Sequence, residues 1–495
     1  MDDNNIKHFV TDDGYAEHAP LWKQVRQTIK GKPGAIKLIQ DDGYFGLVPP
    51  AYTKRNNNHN IVDERRRQYF ARGRFFNAVG RTHDAYVGMI GSKDTEVELP
   101  DALDGFKTSV DGEGSTMNSF ALHIAGEVLK TARHGLLVDL PDIEGLTRAQ
   151  AADKQPRIVD YAAEDIGRAV YLKGELVEVP LKERYWKQDG DNWDYCEQVR
   201  VLCLEDGAYT SRVYRDGVLD EYVQPRANGS TIPFIPFLFV GAENNKPSYD
   251  RPVMFDLAHQ NLGHFQHDCD NRENLHYHGQ GMTNVFSNMD AEEASEKNPR
   301  GIDVGAKGVN QFDQDDRVEI LQIAATGALG VAMESDEKRM IYLGAQVTQD
   351  QSSTQTLGAK RIESNASTSQ LKRISINVSE ALTKCCKWVA EFVKANPDDV
   401  VVELNSQFIT DDMTYQDVLA VFQLYQSGAA SIEEVHEAKR LAGMTTKSDE
   451  ELEEGLTDDL VPGQNEAMAQ MQLTIEQMRA QIQQLTGQAV DNGTE

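Results

Sequence analysis

A chain of 495 residues with 40% hydrophobic content can bury at least one sizeable core, and its length predicts about two to four domains. Charged residues at 26% exclude a mainly disordered chain. The balance of 50 Lys+Arg against 79 Asp+Glu, a formal charge of −29, excludes a protein that grips nucleic acid by its phosphates, because that grip needs a basic face.

The first residues, Met1-Asp2-Asp3-Asn4-Asn5, are acidic where a signal peptide is basic, and no apolar stretch follows them. Residues 15–30 read as a short amphipathic helix carrying Trp22, Val25 and Ile29, ended by Gly31-Lys32-Pro33-Gly34. Residues 63–91 read as a longer helix or helix pair, with Tyr69, Phe70, Phe75, Phe76, Val79, Tyr86 and Ile90 at roughly helical spacing. Arg65, Arg66, Arg67, Arg72 and Arg74 on this segment are its polar face rather than a nucleic-acid grip. Pro100 and Gly105 then break the pattern.

Asp111-Gly112-Glu113-Gly114-Ser115 is a turn and helix start, and Leu122, Ala125, Val128 and Leu129 continue as a helix face. Gly135 to Pro141 reads as a short buried strand closed by proline, and 142–157 as polar connection. From 158 to 240 the period shifts toward two. Glu205-Asp206-Gly207 between two alternating runs is a hairpin signal, and Asp216-Gly217 marks another turn. Ile232 to Gly241 is the most apolar run, but it holds Pro233 and Pro236 and is about half the length needed to cross a bilayer. A soluble chain is expected.

Helix returns at 250–278. A mixed stretch with strand-like Val318 to Leu321 follows, then helix at 328–344. Gln346 to Thr356 is polar, with almost no apolar side chain. The clearest helix carries Leu371, Ile374, Val378, Leu382, Cys385, Val389 and Phe392 at intervals of three and four, and Asn396-Pro397 ends it. Two shorter helices open with capping boxes, Thr414-x-x-Asp417 and Ser431-x-x-Glu434. After an acidic linker at 445–463, Met468, Met471, Ile475, Met478, Ile482 and Leu485 form a short heptad seam. The tail after Gly487 is expected to be disordered.

Little chemistry is legible. His259, His264, His267, Cys269, His276 and His278 gather in one stretch, but their spacings match no zinc pattern and they point in several directions on one helix. They read as a polar, partly exposed helix surface. There is no phosphate-binding G-x-x-x-x-G-K-[ST] loop, no G-x-S-x-G elbow and no H-E-x-x-H. Gly305-Ala306-Lys307-Gly308 reads as a turn. Cys196, Cys203, Cys269, Cys385 and Cys386 lack the spacing of a disulfide framework or a C-x-x-C, and suit a reducing compartment. A Cys/His nucleophile pair is left open, since such partners meet in space rather than along the chain. No catalytic residue, metal or cofactor is expected.

Several colinear stretches over residues 15–440 resemble phage portal proteins, in particular a family of uncharacterised portal-like proteins of tailed phages and prophages. Tyr15 through Ile29 looks like the family's opening helix. Phe75-Phe76-Asn77-Ala78-Val79-Gly80-Arg81-Thr82, continued by Val87-Gly88-Met89-Ile90, is similar to its aromatic-Asn-x-x-x-Arg-Thr helix. Glu127-Val128-Leu129 through Gly135 to Pro141 matches its helix–Gly–strand–Pro unit. Ile232-Pro233-Phe234, then Phe255-Asp256-Leu257-Ala258-x-x-Asn261-Leu262 and Phe265-Gln266, follow in family order. The His-rich stretch 259–278 and the Gln/Met-rich C-terminus depart from the pattern.

The resemblance implies an α+β, predominantly helical portal fold with wing, stem, clip and crown regions, assembling into a homo-oligomeric ring, usually of twelve subunits, around a DNA channel at one capsid vertex. Its implied partners are terminase during packaging, head–tail adaptors later, the major capsid or scaffold protein, and double-stranded DNA touched transiently without sequence specificity. The implied location is the virion, with host cytoplasm during assembly; no membrane is involved. On this mapping, 1–157 is the helical part of the wing, 158–249 a β-containing wing module and 250–345 stem and clip. Residues 346–357 are the candidate channel loop, with Gln346, Thr348, Gln349, Gln351, Ser352, Ser353, Thr354 and Gln355 facing DNA. Residues 358–443 supply C-terminal wing helices, 444–463 a linker, 464–487 a crown-like helix and 488–495 a tail. A ring built head to tail suits such a subunit, and an acidic lumen lets phosphates slide. The rival readings are another virion structural or adaptor protein, which explains the β-module poorly, and a cytosolic metal- or Cys-dependent enzyme.

Overall fold

The computed structural model describes residues 7–41, 59–140, 156–227, 230–278, 282–286, 288, 290–298, 315, 317–321, 327–344, 357–408, 415–426, 431–441 and 444–445. The chain divides into two compact units, Met1–Phe408 and Ile409–Glu495. It is mixed α+β, and helix makes up roughly half of the described residues rather than dominating them.

Helix α1 (Asp13–Ile29) starts where Asp12 Oδ1 accepts the Tyr15 N–H at 2.8 Å, satisfying one of the orphan donors of the first turn. Trp22 and Val25 are fully buried. The break expected at Gly31–Gly34 is a two-residue corner, Lys30 and Gly31. Gly31 takes φ +77°, and α2 (Lys32–Asp41) starts at once, with Pro33 in the first turn, where a missing N–H costs nothing. Gly34 lies so close to α1 that a Cβ there would sit 1.9 Å from the Gln27 carbonyl oxygen. The expected long segment 63–91 is a helix pair, α3 (His59–Arg72) and α4 (Ala78–Ile90). Asn77 turns the chain between them: its Oδ1 accepts from Gly80 N and its Nδ2 donates to Ile29 O, each at 3.0 Å.

After β1 (Glu96–Glu98) and a short 3-10 stretch, Asp111 Oδ1 accepts from Glu113 N and Ser115 N at 2.8 and 3.1 Å. That turn leads into α5 (Met117–Thr131). Strand β2 (Arg133–Asp139) is buried along almost its whole length. It is the centre of an antiparallel sheet, flanked by β3 (Arg157–Ala162) and by β11 (Phe237–Gly241). This sheet crosses the boundary expected at 157/158. Between β3 and β11 the chain forms a five-stranded meander of β4 (Val170–Leu172), β5 (Glu175–Asp189), β6 (Asn192–Glu205), β7 (Ala208–Arg215) and β8 (Val218–Val223), followed by a small β9 (Arg226–Ala227) and β10 (Ser230–Thr231) ribbon. Both expected turns are present: Asp206 and Gly207 take φ +49° and +76°, and Asp216 and Gly217 take +49° and +74°, the pattern that Asp-Gly hairpins require.

Helix α6 (Phe255–His278) follows, then β12 (Met282–Phe286), α7 (Ala291–Lys297) and β13 (Arg317–Leu321). Strand β12 pairs antiparallel with β13, a partner the sequence did not announce. Helix α8 (Ala328–Tyr342) precedes α9 (Leu357–Val393), a helix of 37 residues that extends well before the expected apolar stripe. Strand β14 (Val401–Glu403) returns to pair with β1. In the second unit, α10 (Tyr415–Gln426) and α11 (Ile432–Leu441) follow one another. The expected box at Ser431 is formed reciprocally: Ser431 N donates to Glu434 Oε2 at 3.0 Å and Glu434 N to Ser431 Oγ at 3.2 Å.

The main core gathers the inner faces of α4, α5 and α9 around β2, β3 and β11. Where β2 begins, Arg133 is only 2% exposed. Its guanidinium lies between two rings, 3.9 Å from the Tyr249 centroid and 4.5 Å from that of Phe239, and Nη1 donates to Pro247 O at 2.8 Å. Tyr249 donates its hydroxyl to Asp12 Oδ1 at 2.8 Å and stacks on Trp22. Replacing this cation by a small side chain leaves a void and frees both rings. Arg133→Ala is expected to cost on the order of 3 kcal/mol in chemical denaturation, and Arg133→Lys to recover only part, because an ammonium lacks the planar fit.

Candidate functional site

Three of the sequence stretches singled out for their resemblance, on α1, at the α3–α4 corner and on α6 itself, meet along α6. Asn261, fully buried, accepts from Val79 N at 3.2 Å through Oδ1 and donates to Phe76 O at 2.8 Å through Nδ2. One amide thus satisfies both exposed backbone groups at the α3–α4 corner. Phe265 meets Phe75 edge-on at 5.3 Å between centroids. Further along, Tyr69 donates to Asp270 Oδ1 at 2.6 Å, Arg74 N to Asp268 Oδ2 at 2.5 Å, and Arg72 pairs with Glu273. Arg72 is therefore spent on an ion pair with α6.

On another side of α6 runs α8, antiparallel to it. Asp336 accepts from Gln260 Nε2 at 2.8 Å and bonds His267 Nδ1 at 2.7 Å, and His264 Nε2 lies 3.4 Å from Glu337. Met340 packs with Val25, Met254 and Leu257 near the start of α6. The chain therefore runs out along α6, passes through the β12–β13 excursion and returns along α8. Of the 15 residues of α8, only Asp336 and Met340 are buried, while Val331 and Tyr342 are 69% and 72% exposed. Asp336 was missed in the sequence, although its i, i+4 spacing from Met340 puts both on one helix face.

The His-rich stretch is scattered by the helical period. His259 Nδ1 meets Gln24 Nε2 at 3.3 Å on the α1 side, while His264 and His267 face α8 and Cys269 is buried against Phe265 and Gly73. Among the described residues, no three His, Cys, Asp or Glu side chains gather so as to hold a metal. The channel-loop candidates Gln346, Thr348, Gln349, Gln351, Ser352, Ser353, Thr354 and Gln355 lie outside the described residues, between α8 and α9, as do the Gly305–Gly308 turn, Thr414 and the C-terminal heptad seam. All five cysteines are free thiols. Burial pushes the Cys269 and Cys386 thiols up to about 12 and raises those of Cys203 and Cys385, the reverse of what a nucleophile needs.

A polar cleft of 370 Å³ lies between β2–β3 and β5–β6. Its charges are matched: Arg157 to Asp139 at 2.8 Å, Arg200 to Glu183 at 2.7 Å and Lys182 to Asp165 at 3.5 Å. Asp160 is shared by His123 Nε2 at 3.2 Å and His134 Nε2 at 3.1 Å. This balance makes the cleft a joint between two sheets rather than an anion or cation site. Beside it, Arg26 ties α1 to α5 through Glu127 at 2.7 Å and to Glu164 at 2.6 Å, and Lys130 adds a second bond to Glu127 at 2.7 Å. Burial alone raises the Glu127 carboxyl, but Arg26 and Lys130 outweigh it and hold it at about 2.

A family described as a domain of unknown function, DUF4055, matches residues 253–393, a span from just before α6 to the end of α9. No curated protein matches the chain. Among solved structures, the chain is similar to one in the neck of an empty gene transfer agent particle computed with C6 symmetry, at 11% identity and a TM-score of 0.40, covering 74% of this chain and 90% of that one. A chain of the virion of a native gene transfer agent particle is similar at 11% identity and 0.40, with 76% and 92% covered. So is one in the neck of a native particle computed with C12 symmetry, at 11% and 0.40, with 74% and 89% covered. Among the described residues no helix is long and apolar enough to cross a membrane.

Thiol labelling of the native protein is expected to modify Cys196, which is half-buried, well before the four buried cysteines, which should react only on unfolding. Because the Glu127 carboxyl is depressed in the fold, its stabilisation is complete above its unfolded value near 4.3. It is lost as pH falls toward about 2. Denaturation midpoints across that window should drop, with this one group supplying ~3 kcal/mol. Glu127→Gln should be less stable at pH 7 yet show a shallower acid slope.

Proposed function

We propose that the chain is one subunit of a tailed-phage portal, a ring of about twelve copies through which DNA is packaged into the capsid and later ejected. The observation that carries this reading is the α6–α8 pair. An amphipathic helix draws most of its stability from the face it buries, and α8 buries only Asp336 and Met340 on its own chain. A neighbouring copy in a ring supplies the missing contact. The colinear sequence resemblance supports the same reading. Some of its residues meet in space: Phe75, Phe76, Val79, Asn261 and Phe265 gather at one joint.

On this reading α6 and α8 are the stem and the β12–β13 excursion is the clip that docks terminase and then head–tail adaptors. Residues 1–157 and 158–249 form the wing, which meets the capsid or scaffold protein. Residues 346–357 form the channel loop, where Gln, Ser and Thr side chains touch phosphates without ion pairing. Residues 358–443 complete the wing, and 464–487 form the crown. The formal charge of −29 suits passage rather than retention, since an acidic wall repels the DNA backbone. No catalytic chemistry is assigned to the chain.

Light scattering with negative-stain imaging of the purified protein is expected to give a particle near twelve times the 55.3 kDa chain mass with a central hole. A species that stays monomeric at every concentration, with or without a scaffold protein, overturns the reading. Shortening the channel loop by deleting residues 349–354 is expected to leave the ring intact while blocking DNA retention in a packaging assay.

A further inference from the structure

Two features of the first unit are unpartnered among the described residues and match one another. The first is the far end of the β5–β6 hairpin. Strand β6 pairs with β7 only from Gln198 onward, whereas β5 and β6 pair as far as Asp189 and Asn192. Residues 184–197 are therefore a two-stranded ribbon projecting beyond the sheet, a form with little stability of its own in water. Trp186 is opposite Tyr195, and Gln188 opposite Trp193, so the period of two places all three aromatics on one face. They are 62%, 58% and 58% exposed in the order Trp186, Trp193, Tyr195. The Trp186 and Tyr195 rings lean together, 4.7 Å between centroids. Asp191 lies at the turn and Asp189 and Asp194 on the other face of the ribbon, all exposed, with Lys187 opposite Asp194.

The second feature is a groove of 510 Å³ between α9 and β14, lined among others by Ile376, Thr383, Lys384, Lys387, Val401 and Leu404. Its floor is fixed. Val402 N donates to Thr383 Oγ1 at 3.0 Å, Thr383 Oγ1 donates to Val402 O at 3.1 Å, and Leu404 N donates to Ser379 Oγ at 2.9 Å. Ile376 and Val401 remain 40% and 37% exposed. A volume in this range accepts large aromatic groups. Glu380 and Glu403 also line it, but the neighbouring solvent face of α9 carries Lys372, Arg373, Lys384 and Lys387 against Glu380 and Glu391. That face is basic in a chain whose overall charge is −29.

We propose that the aromatic tip of the β5–β6 hairpin of one copy seats in the α9–β14 groove of a second copy of this chain. Aromatic knobs on a ribbon that carries Asp189, Asp191, Asp194 and Glu197 against Arg184 and Lys187 fit a partly apolar trough beside the basic face of α9, through burial, cation–π contact and charge complementarity. Tryptophan and tyrosine are the side chains that dominate such contacts. Because knob and trough are different surfaces, the contact is head to tail. Run head to tail, it can close a ring. The inference rests on the ring reading above and specifies which surfaces make the ring.

The test uses the full chain in two variants, Trp186→Ser/Trp193→Ser and Lys384→Glu/Lys387→Glu. Trp186, Trp193 and Lys384 are exposed and Lys387 is half-buried, and unchanged melting temperatures establish that each variant folds. Each alone is expected to self-associate on the order of 30-fold more weakly than wild type in sedimentation or light scattering. Mixed, they retain one good knob and one good groove between them, and should form a discrete dimer and nothing larger. If either variant assembles as wild type does, or if the mixture stays monomeric, the tip and groove do not meet and the inference is overturned. If those variants keep a wild-type ring, the portal reading stands without it. If wild type forms open chains that both variants abolish, the contact is upheld and the closed ring is not. Should the tryptophan variant fail to fold, Asp191→Lys/Asp194→Lys replaces it. Combined with the lysine reversal in one chain, it should restore assembly, and failure to restore it counts against the contact.

Discussion

A single buried cation organises the first unit. Arg133 opens the central strand, yet among the described residues its guanidinium has no carboxylate partner at contact distance; rings on two sides and one backbone carbonyl hold it. Taking an isolated charge out of water is expensive, and burial indeed pulls its pKa below the usual arginine value. The site is stable only if both rings and the Pro247 carbonyl stay where they are. Tyr249 in turn is fixed by Asp12 and Trp22, and Asp12 starts α1. Strand β2, helix α1 and the segment leading into α6 are thus located by the requirements of one side chain.

The consequences spread outward from there. With α1 in place, Arg26 reaches Glu127 on α5 and Glu164 beside β3. With the lead-in fixed, α6 lies where Asn261 can satisfy the α3–α4 corner. Helix α6 is then a shared wall, with aromatic packing toward α3 and a line of imidazole–carboxylate contacts toward α8. The two sides differ in kind. The α3 side is closed by burial, whereas the α8 side is held by polar bonds over a helix that is mostly bare.

Much of this was legible in the sequence where the determining forces are local. Asp206-Gly207 and Asp216-Gly217 turn because those residues tolerate positive φ. The stripe from Leu371 to Phe392 is helical because its spacing permits nothing else, and Ser431 with Glu434 caps its helix as expected. What failed to show was non-local. Strands β2 and β11 pair across a hundred residues, and no local pattern predicts which strands meet. Strand β12 gave too short a run to announce itself beside β13. The corner at Gly31 looked like a loop because Pro33 reads as a breaker until it falls in a first turn. Arg133 carried no signal, since a charged residue beside an apolar run ordinarily faces water. Trp186, Trp193 and Tyr195 were not singled out, because which face of a ribbon lies open is decided by strands elsewhere. The channel-loop residues 346–355 are outside the described residues, so for them only the sequence speaks.

Helix α9 has a mechanical meaning beyond packing. Its 37 residues make a rod of about 56 Å, and no proline interrupts Leu357 to Val393. Its buried stretch from Leu371 to Ala390 is clamped in the core, while its first turns run on toward residue 357. A tilt of only about 5° at the clamp would carry that end, about 21 Å beyond Leu371, about 2 Å sideways. Anything pressing on the α9 face at Ile376–Lys387 is therefore geared to the chain just before Leu357, with the helix serving as the lever arm and the core as its bearing.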